Sequence, residues 1–159
     1  MASGHAGLDA LTRIREHDPV KKLIQSKLAK MEFFDVFTES DLDKLSQRLA
    51  GYRAEKGDAV FVEGNKAGYL CIVIEGQLSI IKDTGTGKSR TITRVPAGRI
   101  IGEMSLIDGE PHSATAVASV PTLLAALTEQ SLEALVNEDP ALGAKLYKTM
   151  AIMISHRLR

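Results

Sequence analysis

The chain has 159 residues, of which 44% are hydrophobic and 25% are charged, values typical of one globular domain with a hydrophobic core. Its 20 lysines and arginines balance 20 aspartates and glutamates, so no excess positive charge favours nucleic acid or an anionic membrane as a partner. The single cysteine excludes a disulfide or a multi-cysteine metal site within the chain.

The first 17 residues carry weak structural signals. A short helical spacing at Leu8, Leu11 and Ile14 predicts a flexible or weakly helical leader over residues 1–17. The start lacks the apolar core of a secretory signal, and we find no apolar run of the roughly 18 residues that a membrane helix needs. We therefore expect a cytoplasmic protein with no membrane partner.

Two capped helices are predicted over residues 19–50. Asp18-Pro19 is typical of an N-cap followed by proline in the first turn, and Thr38 to Asp41 has the spacing of a capping box. Gly51 is the predicted C-terminal stop of the second helix. Apolar side chains follow at helical spacing, and they are Val20, Leu23, Ile24, Leu28, Leu42, Leu45 and Leu49.

Short strands separated by turn residues are predicted over residues 52–128. Turns roughly every 8 to 12 residues indicate a sandwich or barrel, and we predict a jelly-roll-like β-roll. The fold class is therefore mainly β, with flanking helices at both ends. The predicted strands are Ala59 to Val62, Tyr69 to Glu75, Gln77 to Lys82, Arg90 to Val95, Ser113 to Ala118 and Thr122 to Leu127.

Helices close the chain over residues 129–159. Thr128 is a predicted N-cap, and Asp139-Pro140 repeats the cap-plus-proline signal. A long apolar stripe then follows, formed by Leu142, Leu146, Met150, Met153, Ile154 and Leu158. The stripe is one-sided, so it can face either its own β-roll or a partner.

A short helix is predicted inside the β region, within the stretch from Gly98 to Ala118. Gly102 precedes one helical turn from Glu103 to Ile107. Backbone NH groups in a first helical turn favour an anion, and glycine lets a ligand approach closely. Because Glu103 is itself negative, we expect it to accept hydrogen bonds from neutral hydroxyls. A sugar phosphate fits this combination.

The run G-E-M-S-L-I-D-G-E-P-H-S-A-T resembles the phosphate-binding cassette of the cyclic-nucleotide-binding domain family. The matching positions are Gly102, Glu103, Leu106, Pro111, Ala114 and Thr115. The resemblance covers roughly Phe33 to Arg159 and implies that residues 18–159 form a regulatory domain with a cassette helix. It further implies a binding protein without enzymatic activity, whose ligand is cAMP or cGMP.

The resemblance also assigns ligand-binding roles. Glu103 would accept a hydrogen bond from the ribose 2′-hydroxyl, while backbone NH groups and Ser113 would hold the phosphate. His112 stands where the family has a phosphate-binding arginine. The candidate ligand-binding residues are Gly102, Glu103, Met104, Ser105, His112, Ser113 and Ala114.

The change from arginine to His112 affects the expected affinity. Arginine offers a permanently charged fork, whereas histidine has a reference pKa of about 6.5 and offers fewer donors. Losing a charge-assisted hydrogen bond of roughly 1.5 to 3 kcal/mol weakens binding on the order of 10- to 150-fold. Two interpretations remain open: His112 supports binding that tightens from about pH 8 to 6, or it is a solvated loop residue in a domain that has lost its ligand.

Other functional classes are less well supported by the residues. The T-G-T-G-K-S stretch from Thr84 lacks the first glycine of a P-loop and joins two strands, so we predict a hairpin loop. The four histidines are too scattered for a cupin metal site. Ser105 and Ser113 lie near His112, but a serine nucleophile needs a base with an orienting group. We therefore predict no catalytic residue, no metal and no cofactor.

The partner remains open on the sequence alone. The alternative to nucleotide binding is a ligand-free scaffold with the same fold, which acts through a homodimer at the C-terminal helix or through an effector protein not identified by the sequence. Catabolite-activator-type regulators carry a helix-turn-helix after the long C-terminal helix. The sequence stops at Arg159, so we expect no binding of DNA or other nucleic acid.

Overall fold

Nine β-strands and five α-helices are present in the computed structural model, which describes residues 7–66 and 68–159. In chain order the strands are β1 (Thr12–Arg13), β2 (Ala50–Ala54), β3 (Ala59–Phe61), β4 (Tyr69–Glu75), β5 (Gln77–Asp83), β6 (Ser89–Pro96), β7 (Ile100–Ile101), β8 (Thr115–Ala118) and β9 (Thr122–Thr128). The helices are α1 (Val20–Leu28), α2 (Glu39–Arg48), α3 (Glu103–Asp108), α4 (Glu129–Glu138) and α5 (Pro140–Leu158), with 3-10 turns at Leu8–Ala10 and Glu32–Phe34.

The strands form two antiparallel sheets. The first has the spatial order β1-β2-β9-β4-β7, and the second has the order β3-β8-β5-β6. Neighbours in space are mostly distant in sequence, so the sheets depend on long-range pairing. The two sheets with helices before and after them confirm the predicted fold class.

β4 shows how one strand serves two cores. Its alternate residues Leu70 and Ile72 belong to the core between the first sheet and the helices. Cys71 and Val73 point the other way, into the core between the two sheets. Because both faces are covered, this strand is continuously apolar and not alternating. Cys71 is fully buried, and burial raises the pKa of its thiol, which makes it an inert packing residue.

Three predicted N-caps are confirmed, those at Thr38, Thr128 and Asp139. Asp18 is not the N-cap of α1; Pro19 has that position, and the Asp18 carboxylate accepts a hydrogen bond of 2.9 Å from the amide of Val20. The Thr38 hydroxyl accepts a hydrogen bond of 3.1 Å from the amide of Asp41, whose carboxylate in turn accepts one of 3.0 Å from the amide of Thr38. Thr128 caps α4, and Asp139 accepts from the amide of Leu142 at 3.0 Å at the start of α5. These caps are local in sequence, which is why the pattern of residue types predicted them.

Two local expectations differ from the structure. The segment before Asp18 was expected to be a flexible or weakly helical leader, but its described residues form a 3-10 turn and β1, which pairs with β2. Leu11 and Ile14 are buried there, so their spacing reflects packing rather than a helix. Residues 1–6 of that predicted leader lie outside the described residues. Gly51 does not end α2; it lies in β2, where a Cβ would be 3.0 Å from Ile24.

Helices from both ends of the chain form one layer on the first sheet. Leu42 and Leu45 of α2 share a core with Leu142 and Leu146 of α5. Ion pairs join α2 to the last two helices at the surface: Arg48 with Glu138 of α4, Lys44 with the α5 N-cap Asp139 at 2.8 Å, and Asp41 with Lys145 of α5 at 2.5 Å. Across residues 7–66 and 68–159, the search for a helix with the length and hydropathy of a bilayer span found none.

Candidate functional site

The cassette helix α3 is fixed by the short strand β7 and by a glycine. β7 pairs with β4 through Ile101 opposite Cys71, and the chain turns at Gly102, whose φ is 82°. A Cβ on Gly102 would lie 2.5 Å from Cζ of Phe61. Both the positive φ and the close ring require glycine. α3 therefore starts at a defined place, between β4 of the first sheet and Phe61 of the second.

One cavity of about 480 Å³ opens beside α3. Its volume lies within the range of roughly 300 to 1,000 Å³ that small-molecule sites occupy. All of the candidate ligand-binding residues line it, which are Gly102, Glu103, Met104, Ser105, His112, Ser113 and Ala114. Phe61, Ile80, Thr93 and Val95 form part of the remaining wall. The fold thus brings the two halves of the cassette together around a space of ligand size.

His112 is a buried residue of this wall. Its side chain is 6% exposed, and its ring centroid lies 4.1 Å from that of Phe61. Its Nδ1 is joined to the Ser105 hydroxyl by a hydrogen bond of 3.2 Å, and its amide donates to the Asn65 carbonyl at 3.1 Å. The interpretation of His112 as a solvated loop residue is therefore wrong, because the aromatic contact and these bonds hold the ring inside.

The Ser105–His112 pair matches part of a nucleophilic pair but has a different setting. Both residues are buried, and the serine lies in the first turn of α3. The bond aligns the imidazole against Phe61, which positions the ring. A nucleophile would also need an orienting group behind the base. The described residues supply a packed wall here, with features of a binding site.

Glu103 is the most buried charged residue of the cavity, at 2% exposure. Burial raises the pKa of its carboxyl, and the positive charge of Arg157 acts in the opposite direction. Arg157 lies in the last turn of α5, and its guanidinium forms an ion pair with Oε1 of Glu103. Our sequence analysis missed Arg157. The two residues are 54 positions apart, and no local spacing signals their contact.

Part of the lining is more exposed. Met104 is 56% exposed, and the Ser113 carbonyl accepts a hydrogen bond of 2.5 Å from Nζ of Lys82. Arg94 and Arg99 also line the cavity and are exposed. With Glu103 paired to Arg157, these two arginines leave the mouth positively charged. An anionic ligand fits this charge better than a cationic one.

Metal chemistry has no donor set in the described part of the chain. Among those residues, no three His, Cys, Asp or Glu side chains lie close enough together to hold a metal ion. What the cavity offers is a buried carboxylate, hydroxyls, backbone amides at the start of α3 and an apolar wall. This arrangement can bind a ligand that combines hydroxyls, an anion and a flat apolar group.

Solved structures share this architecture. A cyclic nucleotide-binding domain from Methylobacillus flagellatus superimposes with a TM-score of 0.81 at 33% identity, covering 94% of this chain and 84% of that one. The regulatory domain of Toxoplasma gondii PKA, crystallised with cAMP, gives a TM-score of 0.68 at 23% identity and covers 82% of this chain and 49% of that one. The second likeness concerns the fold alone.

Comparisons of the sequence agree with the structural similarity. The Cyclic AMP receptor protein of Thermus thermophilus is 32% identical over 104 residues, which are 65% of this chain and 46% of that protein. The chain spans less than half the length of this relative. Residues 53–139, more than half of the chain, match the family model described as "Cyclic nucleotide-binding domain". These residues include β3 to β9 and the cassette, and the chain therefore belongs to the cyclic nucleotide-binding domain family.

Proposed function

We propose that this chain binds cAMP or cGMP in the cavity beside α3 and that its C-terminal helix reports occupancy to a partner. The observation that carries the proposal is the convergence of all seven candidate residues on one cavity of about 480 Å³. Membership of the cyclic nucleotide-binding family supports the same ligand class. The names of two relatives, the Cyclic AMP receptor protein and a cAMP-dependent protein kinase regulatory subunit, favour cAMP.

In this proposal each residue contacts a different part of the nucleotide. Glu103 accepts a hydrogen bond from the ribose 2′-hydroxyl. The backbone amides of residues 103–105 and of Ala114, with the Ser113 hydroxyl, hold the cyclic phosphate. His112 lies beside the phosphate and adds positive charge when it is protonated. Phe61 and Val95 are part of the apolar wall and shield the ligand from water.

The readout in this proposal is mechanical. α5 reaches the cavity through Arg157, so a ligand that displaces this contact changes the position of the helix. A change in helix position alters the surface offered to a partner, which is a population shift driven by the ligand. The chain then acts in the cytoplasm as a regulatory domain without catalytic activity.

Calorimetric titration with cAMP and cGMP at pH 6.5 and pH 8 tests the proposal. We expect saturable binding of at least one nucleotide, tighter at pH 6.5 than at pH 8. His112→Arg supplies the charged fork and should tighten binding on the order of 10-fold or more. His112→Gln is the matched control, because it keeps a polar side chain that cannot be protonated.

The outcomes separate the ligand from the role of His112. A flat affinity between the two pH values removes the proposed role of His112 but leaves the site. If neither the wild type nor His112→Arg binds a nucleotide, and circular dichroism shows that the variant is folded, nucleotide binding is contradicted. Binding by the variant alone means that the pocket shape persists and that one residue abolished the affinity.

A second candidate function rests on the exposed apolar side chains of α5. Tyr147 is 41% exposed, Ile152 is 47% exposed and Leu158 is 84% exposed. Tyr147 and Leu158 lie on the same side of the helix, about three turns apart, and a partner could cover them. The chain would then be a scaffold that acts through a homodimer or an effector, with no small ligand. Light scattering after size exclusion tests this: a monomer at every concentration contradicts the homodimer.

A further inference from the structure

The last turn of α5 is attached to the cavity by a single arginine side chain. The Arg157 guanidinium pairs with Oε1 of Glu103 and donates a second hydrogen bond of 2.5 Å to the carbonyl of Ile100. It also lies 3.7 Å from the sulfur of Met153, one turn earlier in the same helix. Arg157 therefore joins the end of α5 to the start of the cassette, and it forms part of the cavity wall.

The contact uses the carboxylate on which the ligand depends. Glu103 is 2% exposed, and a buried carboxylate needs hydrogen-bond donors in place of water. Arg157 provides such donors in this structure. In the proposed function the ribose 2′-hydroxyl donates to the same carboxylate. Arg157 already bonds Oε1 of Glu103, so a ligand hydroxyl that needs this oxygen has to displace the guanidinium.

The two partners differ in how easily they can leave. The Arg157 side chain is 45% exposed, so water can solvate the guanidinium once it is released. Glu103 lies at the start of α3 and stays in the wall. The fully buried residues of α5 end at Met150, and Leu158 is 84% exposed. Detaching the last turn therefore uncovers little apolar surface.

We infer that Arg157 is an internal competitor that sets ligand affinity, because its guanidinium occupies the Glu103 carboxylate until a ligand hydroxyl replaces it. The inference rests on the proposed function and adds a residue to its site. It also makes release of the last turn of α5 the first structural consequence of binding. Affinity and signalling then depend on the same exchange of partners at Glu103.

Calorimetry with cAMP tests the competition on wild type, Arg157→Gln, Glu103→Gln and the double variant. We expect Arg157→Gln to tighten cAMP about tenfold, within the range of typical coupling between sites. In the Glu103→Gln background the same change should alter affinity by less than about twofold, since the charged acceptor is gone. Arg159→Gln is the matched control, because Arg159 is exposed at the same helix end and outside the cavity lining.

Hydrogen exchange of the amides in residues 154–158 gives a readout that needs no nucleotide. We expect exchange about fivefold faster in Arg157→Gln than in the wild type, because the contact that restrains the last turn is gone. Saturating cAMP should accelerate exchange in the wild type in the same way. Unchanged exchange in Arg157→Gln overturns the inference.

The affinity results separate this inference from the proposed function. Weaker cAMP binding by Arg157→Gln overturns the competition, because it makes Arg157 a ligand contact. Equal affinity of this variant and the wild type overturns the competition and leaves nucleotide binding in place. If neither the wild type nor any variant binds cAMP or cGMP, the proposed function fails and the competition fails with it.

Discussion

Replacing Gly102 with alanine should cost far more stability than the same change at Gly109, at the other end of α3. Both glycines have positive φ, 82° at Gly102 and 71° at Gly109. A Cβ at Gly109 meets no atom within 4 Å, whereas at Gly102 it would lie 2.5 Å from Cζ of Phe61 and 3.0 Å from the carbonyl oxygen of Tyr69. The pair therefore separates backbone strain from steric overlap.

The magnitudes follow from these contacts. A left-handed backbone costs an alanine about 1–2 kcal/mol, so Gly109→Ala should lose about that much. Gly102→Ala adds overpacking of about 1–3 kcal/mol, for a total of about 2–5 kcal/mol. Phe61 cannot easily move away, because its ring stacks on Tyr69 at 5.0 Å and lies 4.1 Å from the ring of His112.

Urea denaturation followed by far-ultraviolet circular dichroism measures both losses, since the chain has no tryptophan for fluorescence. We expect Gly102→Ala to have the lower midpoint with an unchanged slope. Equal losses of unfolding free energy in the two variants would refute the steric argument. It would mean that the Phe61 ring moves aside freely and that this wall of the cavity is easily deformed.

Two further predictions concern the helical layer. Hydrogen bonding to Lys145 is the main cause that lowers the pKa of Asp41 below 3.8; its contribution to stability is therefore complete above that pH and is lost as the pH falls through the lowered value. In an acid titration, the unfolding free energy of Asp41→Asn should therefore decrease by about 0.5–1 kcal/mol less below about pH 4 than that of the wild type. Equal decreases in the two proteins contradict this. At Gly143 in α5, a Cβ would lie 2.8 Å from Cγ2 of Val136. The steric overlap in Gly143→Ala should outweigh the better helix propensity of alanine, for a net loss of about 1 kcal/mol of unfolding free energy. Adding Val136→Ala should recover most of that loss in urea denaturation, and a more stable single variant would contradict the overlap.

The parts of the fold that the sequence predicts are those whose causes are local. Thr38, Thr128 and Asp139 cap helices through residues only three positions away. The cassette helix was predicted from Gly102 and its neighbours, and it lies where expected. In each case one residue type and one short spacing determine the backbone. Such signals need no knowledge of the rest of the chain.

The parts that were missed depend on residues far apart. Gly51 follows a helix and looks like its stop, but strand pairing with Ala125 in β9 determines its conformation. The burial of His112 depends on Phe61, which belongs to another strand. Arg157 contacts Glu103 although it lies 54 positions further along the chain. For these residues tertiary contacts override local preference, and a single sequence carries no record of them.

The ion pairs between α2 and the last two helices also bear on how the chain folds as it is synthesised. They join residues that are 90 to 104 positions apart, and Leu42 and Leu45 share a core with residues of α4 and α5. Contacts between residues so far apart in sequence form late in folding. While α2 is made early on the ribosome, its apolar face must wait for about 90 further residues. We therefore expect the nascent chain to expose this face until α5 has emerged, which makes it a substrate for chaperones during that interval.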